Sequence, residues 1–124
     1  MDKSNKILSD VVIFNKYAKY IESKKRRENW GEICTRYESM MSTKYPSLKQ
    51  EIKENMTYVR DKKVLMSMRA AQFAGPAITK NESRVYNCAF IPIDDYRSFS
   101  EVMFLLLGGT GVGYSVQNTH INKL

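Results

Sequence analysis

Between residues 85 and 117 the chain runs from an apolar strand through a capped helix into a glycine-rich turn and a second strand. This order confines it to an α/β fold. Residues 85–93, Val-Tyr-Asn-Cys-Ala-Phe-Ile-Pro-Ile, carry no charge and are rich in β-branched and aromatic side chains, as suits a buried strand. Ser98 and Glu101 have the spacing of a capping box and predict a helix over 99–107, with Gly108 as its stop. Residues 111–117 then read as a glycine turn entering a strand. Two such strands want neighbours that the chain does not supply.

The first half has a different texture. Residues 10–21 mix apolar and basic side chains and favour a helix over a strand, although the Val-Val-Ile-Phe start weakens the pattern. The basic run 24–27 reads as an exposed connection. Asn29 and Glu32 form a capping pair, after which Trp30, Ile33, Cys34, Tyr37, Met40 and Met41 fall on one helical face. Cys34 on that stripe reads as a small buried apolar residue. Pro46 opens the next helix. Ser47 with Gln50 repeats the capping pattern, Leu48, Ile52, Met56 and Val59 form its buried face, and Asp61-Lys62-Lys63 ends it. Small and apolar residues then take over in an expected loop through Pro76. The expected division is a helical region over 1–65 and an incomplete α/β region over 66–124.

Charge is concentrated in the helical part. Residues 1–63 hold 15 Lys/Arg against 9 Asp/Glu, which leaves +1 of the total +7 for the rest. Such a surface suits an acidic partner or a nucleotide, or is simply a solvated helical face. Tyr17, Tyr20, Tyr37, Tyr45 and Tyr58, interleaved with Lys and Arg, keep open a non-enzymatic nucleotide- or RNA-binding module. No apolar run approaches the roughly 18–20 residues of a spanning helix, so no membrane partner is expected. The mixed polar N-terminus lacks a signal core and suggests a cytoplasmic chain. Two distant cysteines and one histidine, His120, lack metal-ligand spacing, so no metal site is expected.

Two places offer chemistry. Cys88 lies on the first strand and can be read as a nucleophile, a metal ligand, an electron donor or a buried structural thiol. The distant His120 makes a Cys–His pair a poor fit, whereas a redox thiol needs only a second thiol in space. The cluster Gly108-Gly109-Thr110-Gly111-Val112-Gly113 bares backbone that can approach phosphate or sugar oxygens, or it serves only to stop a helix and turn. It has neither the Gly-Lys-Ser/Thr ending of a Walker loop nor the following helix of a dinucleotide fingerprint. Ser67 and Arg69 both suit phosphate.

Three segments together carry a resemblance: residues 67–77, Ser-Met-Arg-Ala-Ala-Gln-Phe-Ala-Gly-Pro-Ala; residues 85–90, Val-Tyr-Asn-Cys-Ala-Phe; and residues 109–117, Gly-Thr-Gly-Val-Gly-Tyr-Ser-Val-Gln. In order and spacing they resemble adenosylcobalamin-dependent (class II) ribonucleotide reductases, as does Lys-Arg-Arg-Glu-Asn-Trp at residues 25–30. The resemblance implies that N-terminal helices lead into the first strands and helix of a ten-stranded α/β barrel. It implies thiyl-radical reduction of a ribonucleotide, with Cys88 as one of two redox-active thiols. Asn87 and the backbone at Gly111 would touch substrate, and Ser67 would contact phosphate. Met66 departs from the family, which commonly has Pro there. The implied partners are a ribonucleotide substrate, a nucleotide effector, a thioredoxin-type reductant and the remainder of the reductase chain, with no nucleic acid. The thiyl cysteine, the catalytic glutamate, the second redox cysteine and the adenosylcobalamin site would lie outside this sequence. The expectation is an amino-terminal piece, inactive alone.

Overall fold

The computed structural model describes residues 2–124. Its elements are α1 (Lys3–Lys16), β1 (Tyr20–Ile21), β2 (Arg26–Arg27), α2 (Trp30–Lys44), α3 (Lys49–Arg60), α4 (Met68–Phe73), α5 (Pro76–Lys80), β3 (Cys88–Pro92), α6 (Arg97–Leu107), β4 (Gly111–Ser115) and α7 (Asn118–Ile121). Short 3₁₀ turns occupy Glu22–Lys24, Pro46–Leu48 and Glu82–Val85. The described chain is therefore mostly helical with two small sheets. It divides into two compact units, which meet in sequence at Thr79 and Lys80.

The first unit is built on α2. Asn29 caps it as the sequence predicts: its side chain accepts the Glu32 N–H while Glu32 accepts the Asn29 N–H, each at 2.9 Å. The apolar stripe behind that cap supplies Ile33 and Cys34, both fully buried, and they meet Ile13, Ala18, Met56, Val59, Met66 and Ala71 in one core. Trp30 and Tyr37 pack on its margin. Met66 and Ala71 share this core, so the compositional break at residue 66 falls inside the first unit.

Several expectations shift here. The first helix starts at Lys3 and stops at Lys16, not Ile21. The segment after it instead forms the antiparallel pair β1–β2, turned by Lys25 in a left-handed conformation (φ 50°). The basic run is exposed, as expected, but it is half of a hairpin rather than a plain connection. Ser47 caps nothing: a 3₁₀ turn intervenes, Gln50 bonds to Glu54, and Leu48 stays exposed. The segment expected as a loop after Val64 contains two short helices, α4 and α5, separated by Gly75 at φ 94°.

The second unit is a β-α-β crossover. β3 and β4 are parallel, with Cys88 opposite Gly111, Phe90 opposite Gly113 and Pro92 opposite Ser115. Parallel strands need a crossover, and α6 provides it. Three details differ from the sequence reading. β3 is shorter than 85–93, because Val85 belongs to a 3₁₀ turn. The Ser98–Glu101 box does not form. Asp95 takes over, its Oδ1 accepting the Arg97 N–H at 2.7 Å, while Ser98 is buried within the helix. β3 is also half open rather than buried, since Cys88 and Phe90 are exposed.

α6 ends as glycine requires. Gly109 takes φ 88°, and its N–H and that of Thr110 close onto Leu106 and Leu105. Gly108 has an ordinary φ, but a Cβ there would stand 2.6 Å from Ser83 Oγ. Two neighbouring glycines thus answer two different demands, one conformational and one steric.

Candidate functional site

Side chains alternate across a strand, so Cys88, Phe90 and Pro92 share one face of the small sheet with Gly111, Gly113 and Ser115. On that face Cys88 is exposed, Phe90 is 65% exposed, and the two glycines present bare backbone beside them. The opposite face carries half-buried Ala89, Ile91 and Val112. The result is an open platform with one thiol at its amino end.

The sheet brings three of the expected residues together. The Gly111 N–H donates to the Asn87 carbonyl at 2.9 Å, directly before the Cys88–Gly111 pair. That bond anchors the start of β4 and uses the Gly111 N–H internally, so this donor is not open to a ligand. Thr110 is buried, and its hydroxyl donates to the Tyr86 carbonyl at 3.3 Å, a second tie across the same end.

Gly111 and Gly113 lack the constraints seen at Gly108 and Gly109. The nearest atom to a Cβ at Gly111 would be the Asn87 carbonyl oxygen at 3.6 Å, and at Gly113 the Phe90 ring at 3.7 Å. Both are ordinary contacts, so packing within this chain does not demand glycine at either position.

Ser67 lies in the first unit. It is the N-cap of α4 rather than a loop residue, and its hydroxyl oxygen accepts the Ala70 N–H at 3.5 Å. Arg69 is inside the same helix with its guanidinium over the Phe73 ring. The second cysteine stands apart in character. Cys34 is fully buried, and burial pushes its thiol pKa up, away from the reactive thiolate.

One contact escapes the sequence reading altogether. His120 Nδ1 lies 2.9 Å from Ser115 Oγ, at the carboxyl end of β4. The Gln117 N–H also reaches that hydroxyl, at 3.4 Å. A serine and a histidine five positions apart across a turn give only a faint signal in sequence. Lys123 and Asp94, 3.6 Å apart, are a further tie at this end of the sheet. Among the described residues no group of three or more His, Cys, Asp or Glu side chains could hold a metal ion. No described helix is long and apolar enough to cross a membrane.

No family profile matches the sequence, and no curated protein matches it significantly. Among solved structures, the chain is similar to a crystal structure of a B12-dependent (class II) ribonucleotide reductase. The TM-score is 0.80 at 21% identity, over 92% of this chain and 20% of that one. The chain thus spans about a fifth of that protein's length. At this identity the likeness establishes the fold: the described chain is folded like one part of a B12-dependent ribonucleotide reductase.

Proposed function

We propose that the chain is the amino-terminal part of a ribonucleotide reductase, bringing one redox-active thiol and part of the substrate surface to a larger α/β barrel. The observation that carries this is the position of Cys88. It is an exposed thiol at the start of a parallel strand, beside glycines that internal packing does not require, within a fold similar to a class II reductase.

In this reading Cys88 and a second thiol together reduce the substrate. One sulfur–sulfur bond forms. The ribose C2′–O bond breaks, water leaves, and hydrogen replaces the hydroxyl. Two electrons pass from the two thiols to carbon. A dithiol or thioredoxin-type protein then restores the thiols by disulfide exchange. Asn87 and the strand at Gly111–Gly113 would border the ribose, and Ser67 would face phosphate. Cys34 does not suit the role of second thiol, being sealed in an apolar core with its thiolate disfavoured.

Adenosylcobalamin would generate the thiyl radical in the complete enzyme, in line with the B12 dependence of the similar reductase. In the same reading that cofactor, the thiyl cysteine and the nucleotide effector belong to the remainder of the reductase. The ten-stranded barrel and a cytoplasmic setting go with it.

The test is turnover in the complete or reconstituted enzyme. Cys88→Ser is expected to keep the fold and abolish multiple turnover with dithiol, since no disulfide can form. Cys34→Ser is expected to turn over normally at a stability cost of about 1–3 kcal/mol. Normal turnover by Cys88→Ser alongside a folded but dead Cys34→Ser would overturn the assignment.

A further inference from the structure

The first unit contains a cleft of about 340 Å³ lined by α1, Trp30 and the segment from Lys62 to Met68. This is the lower end of the roughly 300–1,000 Å³ typical of small-ligand sites. Its walls are apolar: Leu8, Val12, Leu65 and Met68 face the cleft with the Trp30 ring. Leu8 and Leu65 are more than 60% exposed, so the apolar lining is open to solvent.

Two features make this more than a gap between helices. The Trp30 indole is fixed, since its N–H donates to the Val59 carbonyl at 3.2 Å and its ring packs on the core. A ring held this way is a preorganised stacking surface. The second feature is Lys62. Its backbone is left-handed (φ 57°) just beyond α3, where glycine or asparagine is the relaxed choice. The lysine carries an ammonium to the cleft wall, 5.8 Å from the centre of the Trp30 ring and 2.9 Å from Ser9 Oγ. Asp10 is its nearest carboxylate, at 3.4 Å on an exposed side chain. An ammonium has three donors, and a long contact to an exposed carboxylate leaves it able to take a second anion.

We propose that this cleft binds a small aromatic anion, with the ring between Trp30 and the aliphatic wall and the negative group on Lys62. Aromatic rings suit a wall of indole, leucine and thioether. Charge complementarity to Lys62 selects an anion over a neutral ring of the same shape. This site is independent of the reductase reading.

The probes are 8-anilinonaphthalene-1-sulfonate and its uncharged analogue N-phenyl-1-naphthylamine, titrated into the 124-residue chain. Methyl-labelled methionine spectra read occupancy by place: Met68 lines the cleft, while Met103 reports the exposed apolar surface of α6. The expected result is a saturable shift of Met68 with the sulfonate, Met103 unmoved at the same concentration, and at least tenfold weaker binding of the neutral ring. Lys62→Met keeps the aliphatic stem and the ring site, so it should bind the neutral probe as before and lose the preference for the anion. Three results would each overturn the proposal: Met103 shifting together with Met68, no saturation at Met68, or an anion preference that survives Lys62→Met.

Discussion

Glu28→Gln should unfold the first unit far more readily than its modest change in shape suggests. Glu28 and Arg36 form a buried ion pair with side chains 8% and 15% exposed. Arg36 donates Nε and Nη2 to the two carboxylate oxygens at 2.8 and 2.9 Å, and the Lys19 N–H adds a third bond at 3.0 Å. The same guanidinium holds the Ala71 and Ala74 carbonyls at 2.9 Å each, and Lys19 Nζ joins it on Ala74 at 2.8 Å. Removing the one anion leaves two cations facing each other in a desolvated space. Breaking one side of a buried pair costs about 3–5 kcal/mol, and a glutamine that keeps one acceptor belongs at the low end, about 3 kcal/mol. For a unit of this size that corresponds to a melting shift of roughly 12–24 °C. Trp30, the only tryptophan in the chain, reports unfolding of this unit in urea. Adding Arg36→Met should recover part of the loss, with a coupling above about 1 kcal/mol. Acid gives an independent check. Burial pushes the Glu28 carboxyl pKa up, but bonds from Arg36 and the Lys19 N–H, with both positive charges, outweigh it and leave the pKa below the ordinary value. A depressed carboxylate stabilises above its unfolded pKa of about 4.3 and loses that contribution as pH falls through the lower folded value. The gap between wild type and Glu28→Gln should therefore close below about pH 4. A loss under about 1 kcal/mol at neutral pH, or strict additivity with Arg36→Met, would refute this account.

Two further outcomes follow from burial and close contact. Iodoacetamide should alkylate the exposed Cys88 in the folded chain while Cys34 reacts only on unfolding, read by peptide mass; equal rates would mean that the Cys34 core is open. Gly108→Ala should destabilise the second unit by about 1–3 kcal/mol through the 2.6 Å approach to Ser83 Oγ, with Ser83→Ala restoring much of it. Gly113→Ala should stay within about 0.5 kcal/mol, both measured by hydrogen exchange over residues 80–124. On the reductase reading Gly113→Ala should also lower turnover of the complete enzyme, so a stable and fully active variant would show that the glycine serves neither fold nor ligand.

The legible parts of this fold are those coded by neighbours in sequence. The Asn29–Glu32 cap, the stripe that buries Ile33 and Cys34, and the order strand, helix, glycine turn, strand all depend on spacings of four residues or fewer or on simple composition. What the sequence hides depends on contacts between distant segments. The helix α4 looks like a loop because six residues give too little periodicity, and its end is fixed from outside by Arg36 and Lys19, 35 and 55 positions away. Ser98 and Ser47 fit the capping pattern, yet each lost its place to a competitor, Asp95 in one case and a proline-led 3₁₀ turn in the other. A motif of two residues cannot record that competition.

The candidate site divides in the same way. Asn87, Cys88 and Gly111 could be grouped from sequence only through the resemblance, because nothing local says that residue 88 lies opposite residue 111. A parallel crossover sets that register, and the Gly111–Asn87 bond holds it. The glycines make the point most clearly. In sequence, positions 108, 109, 111 and 113 form one cluster. In the fold, Gly109 is needed for its positive φ and Gly108 for the room beside Ser83, whereas Gly111 and Gly113 meet nothing closer than ordinary contact. A glycine in a strand weakens it, so two in five residues of β4 are a cost that internal packing leaves unexplained. Both lie on the open face with Cys88 and Phe90. The bare strip is therefore best understood by what approaches it from outside this chain, which is where the reductase reading places the ribose of its substrate.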